Sequence, residues 1–212
     1  QARQFSAWKE AERLKKEVEF YVFSREGSCI LPERMKRIPM DLISVSSTDI
    51  RSGKKLFYLP KAVAVKMAKK GLYLEEIVSH FMSEKRFCHS VSVAKVCVKL
   101  AKAHHLDCDK AWKMGILHDI CKQMPYEQAK IWMKYHMPDH LQEAAAVWHG
   151  YIGSDFVKRM LYIRDKEIIS AIFHHVKGDG KSAYDKILFV ADKLDPLRGY
   201  DSSEQIALCE KS

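Results

Sequence analysis

The chain has 212 residues, 47% hydrophobic and 30% charged, the balance of an ordinary globular protein long enough to bury a sizeable core. Its net charge of +9 divides into 17 Lys+Arg against 11 Asp+Glu in residues 1–85 and 19 against 16 in residues 86–212. Acids and apolar residues interrupt the basic stretches "KRFCH" and "KKGLY", which excludes a nucleic-acid face but leaves room for a small polyanionic substrate. No apolar run nears the ~18 residues of a membrane span, no signal peptide opens the chain, and the six cysteines are scattered without a CxxC. The expectation is a cytoplasmic protein with reduced thiols and no membrane partner.

In chain order, "FSAWKEAERLKKEV" has a helical period, and "VEFYVFS" and "MDLISVS" read as strands. Ser and Thr in "SSTDIRSG" are placed to cap a short helix, and Pro60 opens a further helix closed by Gly71. From Leu74 onward only helical patterns occur, at 75–84, 87–104, 109–120, 126–135, 140–148, 151–162, 166–175 and 183–194, punctuated by Asp107 or Asp109, Pro125, Gly150 and Gly178/Gly180. The predicted fold class is mainly α: an all-helical domain over 75–212 preceded by a small α/β part over 1–74.

The helical part carries polar residues where apolar ones are expected. His118 and Asp119 end a helical run, although one His-Asp pair by itself is close to the ~0.6 that chance predicts. In "DKILFVADKLDP", Asp185, Leu188, Phe189 and Asp192 share a helical face, so Asp192 points where the apolar residues point. His89 lies on the face of Val93, Val96 and Leu100, His149 follows Trp148, and His174-His175 follow "IISAIF". A carboxylate facing a core is costly unless paired or bound to metal. Imidazoles and carboxylates without thiolates suit iron, manganese or another hard-to-borderline divalent cation.

The segments "RFCHSVSVAKVCVKLA", "KAWKMGILHDICK", "VWHG", "AIFHHVKG" and "YDKILFVADKLDPLR" resemble the HD superfamily of metal-dependent phosphohydrolases, and within it the YqeK-like symmetrical diadenosine tetraphosphate hydrolases. The resemblance implies metal ligation by His89, His118, Asp119 and Asp192, with His149 and His175 completing a second position. It implies one or two divalent ions, iron or manganese, and hydrolysis of diadenosine tetraphosphate to two ADP. Asp119 would bridge the ions and Lys122 would meet the phosphoryl charge, while Arg86 and Arg198 match phosphate-holding positions. Asp195 and Asp185 are candidates for supporting or structural roles, Asp185 for structure. Another nucleotide as substrate (a nucleoside mono- or polyphosphate, or a cyclic nucleotide) is the alternative within the same chemistry. A non-catalytic nucleotide-binding partner is the alternative outside it. A homodimer is compatible with either.

"ISVSSTDIRSG" with "YLPKAVAVKMAKKGLYL" resembles the C-terminal end of bacterial nicotinate-nucleotide adenylyltransferases, a Rossmann-like nucleotidyltransferase fold. Ser47, Thr48 and Arg51 would there contact ATP phosphates. That family's H-x-G-H occurs nowhere in this sequence, and position 1 is Gln. Residues 1–74 therefore read as the remnant of such a domain, and the parent protein as bifunctional, with a role in NAD biosynthesis.

Overall fold

A computed structural model describes residues 2–23, 30–31, 34–39 and 44–211. The chain divides into two compact units, 1–46 and 47–212. In the first, a 3-10 turn (Ala2–Ala7) leads into α1 (Ala11–Glu17), and β1 (Phe20–Phe23) pairs in parallel with β2 (Met35–Ile38), Phe20 opposite Met35. Phe5 is buried and meets Phe20 edge-on at 4.7 Å. The predicted strand at "VEFYVFS" forms β1, and β2 arises in "MKRI", where no strand was expected. Of the expected strand "MDLISVS", residues 44–46 are coil and residues 40–43 lie outside the described residues.

The second unit is helical: α2 (Ser47–Arg51), α3 (Lys61–Lys70), α4 (Leu74–His80), α5 (Glu84–Ala103), α6 (Cys108–Leu117), α7 (Tyr126–His136), α8 (Trp148–Arg159), α9 (Lys166–His174), α10 (Ala183–Lys193) and α11 (Ser203–Cys209). Side chains set several of the starts. Asp107 accepts from the amides of Asp109 and Lys110 before α6, and Asp165 accepts from Glu167 and Ile168 before α9. Ser182 and Asp185 form a reciprocal capping box at α10, so Asp185 is structural, as expected. Gly71, at φ 62°, closes α3 in the left-handed region that glycine occupies without strain. Because α2 and α3 belong to the second unit, the structural division falls at Ser46/Ser47, ahead of the residue-74 boundary drawn from the sequence.

The core gathers Val93, Cys97 and Leu100 of α5, Met114, Ile116 and Leu117 around α6, Ile152 of α8, Ile172 of α9 and Leu188 of α10. At the α5–α6 crossing, a Cβ on Gly115 would lie 2.5 Å from the Ala94 Cα. Gly115→Ala should therefore force the two helices apart and cost about 1–3 kcal/mol, since backbone on the other side cannot yield. An unchanged thermal midpoint would show that the crossing has slack.

Two sequence expectations fail here. Residues 140–148 are not a helix but 3-10 turns at Pro138–His140 and Ala145–Val147. The Glu143 carbonyl accepts from the Trp148 indole at 2.9 Å, while the Val147 amide that a helix would give it goes to Ala144. Gly150, expected to punctuate, sits inside α8. A Cβ there would lie 3.2 Å from the Phe173 carbonyl and from Val176, so the glycine lets α8 and α9 approach. Among the described residues, no helix is long and apolar enough to cross a membrane. Five described cysteines (88, 97, 108, 121, 209) are free thiols.

Candidate metal centre

Five elements deliver the expected residues to one place. His89 comes from α5, His118 and Asp119 follow the last residue of α6, His149 opens α8, His175 caps α9, and Asp192 lies in the last turn of α10. Three backbone carbonyls orient the imidazoles. Nδ1 of His118 lies 2.7 Å from the Gly115 oxygen, that of His149 2.9 Å from Ala146, and that of His175 2.7 Å from Ile172. A carbonyl can only accept, so each Nδ1 carries the proton and each Nε2 presents a lone pair. His89 is oriented differently, with Nδ1 2.6 Å from a carboxylate oxygen of the fully buried Asp195.

The four Nε2 atoms converge on Asp119. Its Oδ1 lies 3.3 Å from His149 and 3.6 Å from His175, and its Oδ2 lies 3.5 Å from His118 and 3.9 Å from His89. Oδ1 of Asp192 adds contacts of 3.2 Å to His89 and 3.8 Å to His118. Two donors each bound ~2.1 Å from one ion sit roughly 3.0–3.4 Å apart. The His149–Asp119 and His89–Asp192 spacings fall in that range, and the other four exceed it by a few tenths of an ångström. Two sets, His89-His118-Asp119 and Asp119-His149-His175, each bring their donor atoms within 4.8 Å of one another and could each hold a metal ion. The Nε2 atoms of His89 and His118 are buried with no hydrogen-bond partner. On His118, whose Nδ1 carries the proton, the Nε2 lone pair faces carboxylates in a buried site and repels them unless a cation lies between, so the donor set fits a metal.

The charges agree. Burial pushes Asp119 towards neutrality, but His118, His175 and His149 outweigh it and hold its pKa well below the usual carboxylate range. Asp192 is likewise depressed, with burial opposed by His89, His118 and Lys193. Burial, then the neighbouring His175, draws His149 down to about 3, and burial also lowers His118. These two rings are therefore neutral donors, in the state that ligation needs. On His89 burial opposes the charge, but Asp192 and Asp195 prevail and raise its pKa.

Cations ring the cluster. Arg86 donates to Asp119 at 2.9 Å, and Arg198 to Asp192 at 2.6 Å. The Lys122 ammonium lies 3.2–3.3 Å from both ring nitrogens of His149. Burial lowers the pKa of Lys122, partly countered by Asp119. Lys193, 2.8 Å from Asp192, escaped the sequence reading, because an exposed lysine at the end of a helix has no periodic signature. Asp195 supports the His89 ring. Ser47, Thr48 and Arg51 lie on α2, an element that contributes nothing to the His/Asp cluster. Arg51 bonds the Thr48 hydroxyl at 3.4 Å and lies over the Tyr73 ring.

A helical bundle whose core carries a shared carboxylate between pairs of imidazoles defines a class of helical metal-site proteins. Residues 86–197 match the HD domain, and the chain belongs to that family. It is 31% identical over 132 residues to the "Bis(5'-nucleosyl)-tetraphosphatase, symmetrical" of Bacillus subtilis, covering 61% of this chain and 71% of that one. It is 30% identical over 157 residues to the "Probable nicotinate-nucleotide adenylyltransferase/Ap4A hydrolase" of Mycoplasma genitalium, covering 74% of this chain. The match spans 45% of that fused relative, about half its length. The crystal structure of a "predicted HD superfamily hydrolase involved in NAD metabolism" from Clostridium acetobutylicum shares the fold. Its TM-score is 0.59 at 24% identity, over 66% of this chain and 76% of that one.

Proposed function

We propose that the chain is a metal-dependent phosphohydrolase that cleaves diadenosine tetraphosphate symmetrically to two ADP. The observation that carries this is the Asp119 carboxylate, with one oxygen turned to His118 and His89 and the other to His149 and His175. Bound divalent ions would be held by His89, His118, Asp119 and Asp192 on one side and by Asp119, His149 and His175 on the other. Iron is the favoured metal and manganese the next, because four imidazoles make a softer shell than the all-oxygen one magnesium prefers. A bound pair of such ions supplies a hydroxide nucleophile near neutral pH and a clamp for phosphate oxygens.

The chain's own residues do the rest. Arg86 and Arg198 offer planar forks to the phosphates, now turned to Asp119 and Asp192. Lys122 meets charge developing on the transferred phosphoryl group, and an anion beside it offsets the burial that lowers its pKa. Lys193 adds a further cation at the rim. The six scattered cysteines fit a reducing cytoplasm.

The test is the product pattern. With iron or manganese loaded, diadenosine tetraphosphate should give ADP alone, faster than with magnesium. AMP and ATP as early products would exclude symmetrical cleavage.

We further infer a bifunctional parent, in which residues 1–74 are the end of an adenylyltransferase domain and Ser47, Thr48 and Arg51 contact phosphate. The 212-residue chain, having no H-x-G-H, should make no deamido-NAD from nicotinate mononucleotide and ATP. Turnover in that assay would mean that residues on α2 do more than bind phosphate.

A further inference from the structure

A pocket of about 260 Å³ shares Lys122 and His149 with the metal cluster and is otherwise walled by small and apolar side chains, among them Met124, Ala145, Trp148 and Ile152. The mechanism gives those four residues no task. The clefts beside His104 and beside Lys95 and Lys99 share no residue with the cluster. We propose that this pocket is the nucleoside subsite: it takes the base and ribose of one ADP moiety while that moiety's phosphates lie at Lys122 and the metal centre. This rests on the hydrolase reading and deepens it.

Three features support the assignment. The volume falls just below the ~300–1,000 Å³ of small-molecule sites, enough for one nucleoside and too little for a whole dinucleotide. Its aromatic wall is rigid: the Trp148 indole donates to the Glu143 carbonyl at 2.9 Å and stacks on Tyr126, with ring planes 15° apart. A fixed apolar wall costs little to order when a flat heterocycle packs on it. Lastly, the lining joins the Lys122 ammonium to thioether, methyl and indole groups, the pairing of cation and apolar surface that a nucleotide's phosphate and base require. The failed helix at 140–148 belongs to the same design. The 3-10 turn Ala145–Val147 puts two alanines, Ala145 and Ala146, on the lining, and both are exposed.

The test compares ADP with methyl diphosphate, which keeps the anionic group and lacks the nucleoside. In the metal-loaded protein, calorimetry should find ADP bound about tenfold tighter or more, the advantage expected of one stacked base. Ala145→Trp, an exposed position, should fill the pocket and abolish that preference. If that variant does not fold, Ala146→Leu carries the same test. Equal affinity for the two ligands in the unaltered protein would overturn the assignment, as would a folded filling variant that keeps the preference. Failure of the hydrolase reading is scored apart from this, as absence of diadenosine tetraphosphate turnover by unaltered, metal-loaded protein.

Discussion

His118→Ala should lose bound metal and turnover together, with kcat/KM falling roughly 10³-fold or more. His118 is fully buried, its Nδ1–H is committed to the Gly115 carbonyl, and its Nε2 lies within 3.8 Å of both Asp119 and Asp192 while bonding to neither. An atom so placed stabilises nothing in the bare protein, because a buried acceptor facing carboxylates is a liability. Its use appears only when a cation enters. The variant should therefore separate two kinds of stability. The metal-free protein should lose only what a buried cavity costs. The stabilisation by added metal, about 2.7 kcal/mol at a hundredfold excess over Kd, should shrink or vanish. Elemental analysis and thermal unfolding with and without metal read both quantities. A variant that keeps its metal and full turnover would remove His118 from the centre and with it the orientation assigned to Asp119.

Much of this centre was legible in the sequence because helices convert spacing into direction. Asp192 falls four residues after Leu188, and in the structure both are buried on the same side of α10. His89 likewise falls four residues before Val93 and eleven before Leu100, the buried side of α5. What escaped were features that depend on partners remote in sequence. Nothing in "MPDHLQEAAAVWHG" announces that the Glu143 carbonyl will go to an indole five residues on, so the alanine run passed for a helix. Gly150 passed for a break because close approach of α8 to the Phe173 carbonyl exists only in three dimensions. Asp195 could be narrowed only to a supporting or structural role, because its partner His89 is 106 residues away. The strand at Met35–Ile38 has little to mark it. Its sequence is "MKRI", with two cations in the middle and only its ends half-buried.

Of the adjacent pair at the end of α9, His175→Ala should lose the second ion and most activity, whereas His174→Ala should keep both. His175 is 1% exposed, three residues after the fully buried Ile172, whose carbonyl holds its Nδ1–H at 2.7 Å. Its Nε2 therefore faces Asp119 Oδ1 at 3.6 Å, and its ring meets those of His118 and His149 edge-on at 5.1 Å. His174 turns away: its Nδ1 bonds Asp179 at 2.6 Å, and nearly a third of its side chain remains exposed. Removing an exposed pair of that kind costs roughly 0.2–1 kcal/mol and touches no donor atom of the cluster. Removing His175 leaves Asp119 Oδ1 with His149 alone, too few protein ligands to retain an ion at that position. The metal content should then fall from two ions to one, with turnover reduced roughly 10²–10³-fold. The rival view is that both histidines only cap the C-terminus of α9, where a protonated imidazole gains about 0.3–1 kcal/mol from the helix dipole. On that view the two alanine variants would lose similar small amounts of stability and bind metal alike. Equal metal content in the two variants would therefore decide for capping, and a loss confined to His174→Ala would mean that α9 presents the opposite face to Asp119.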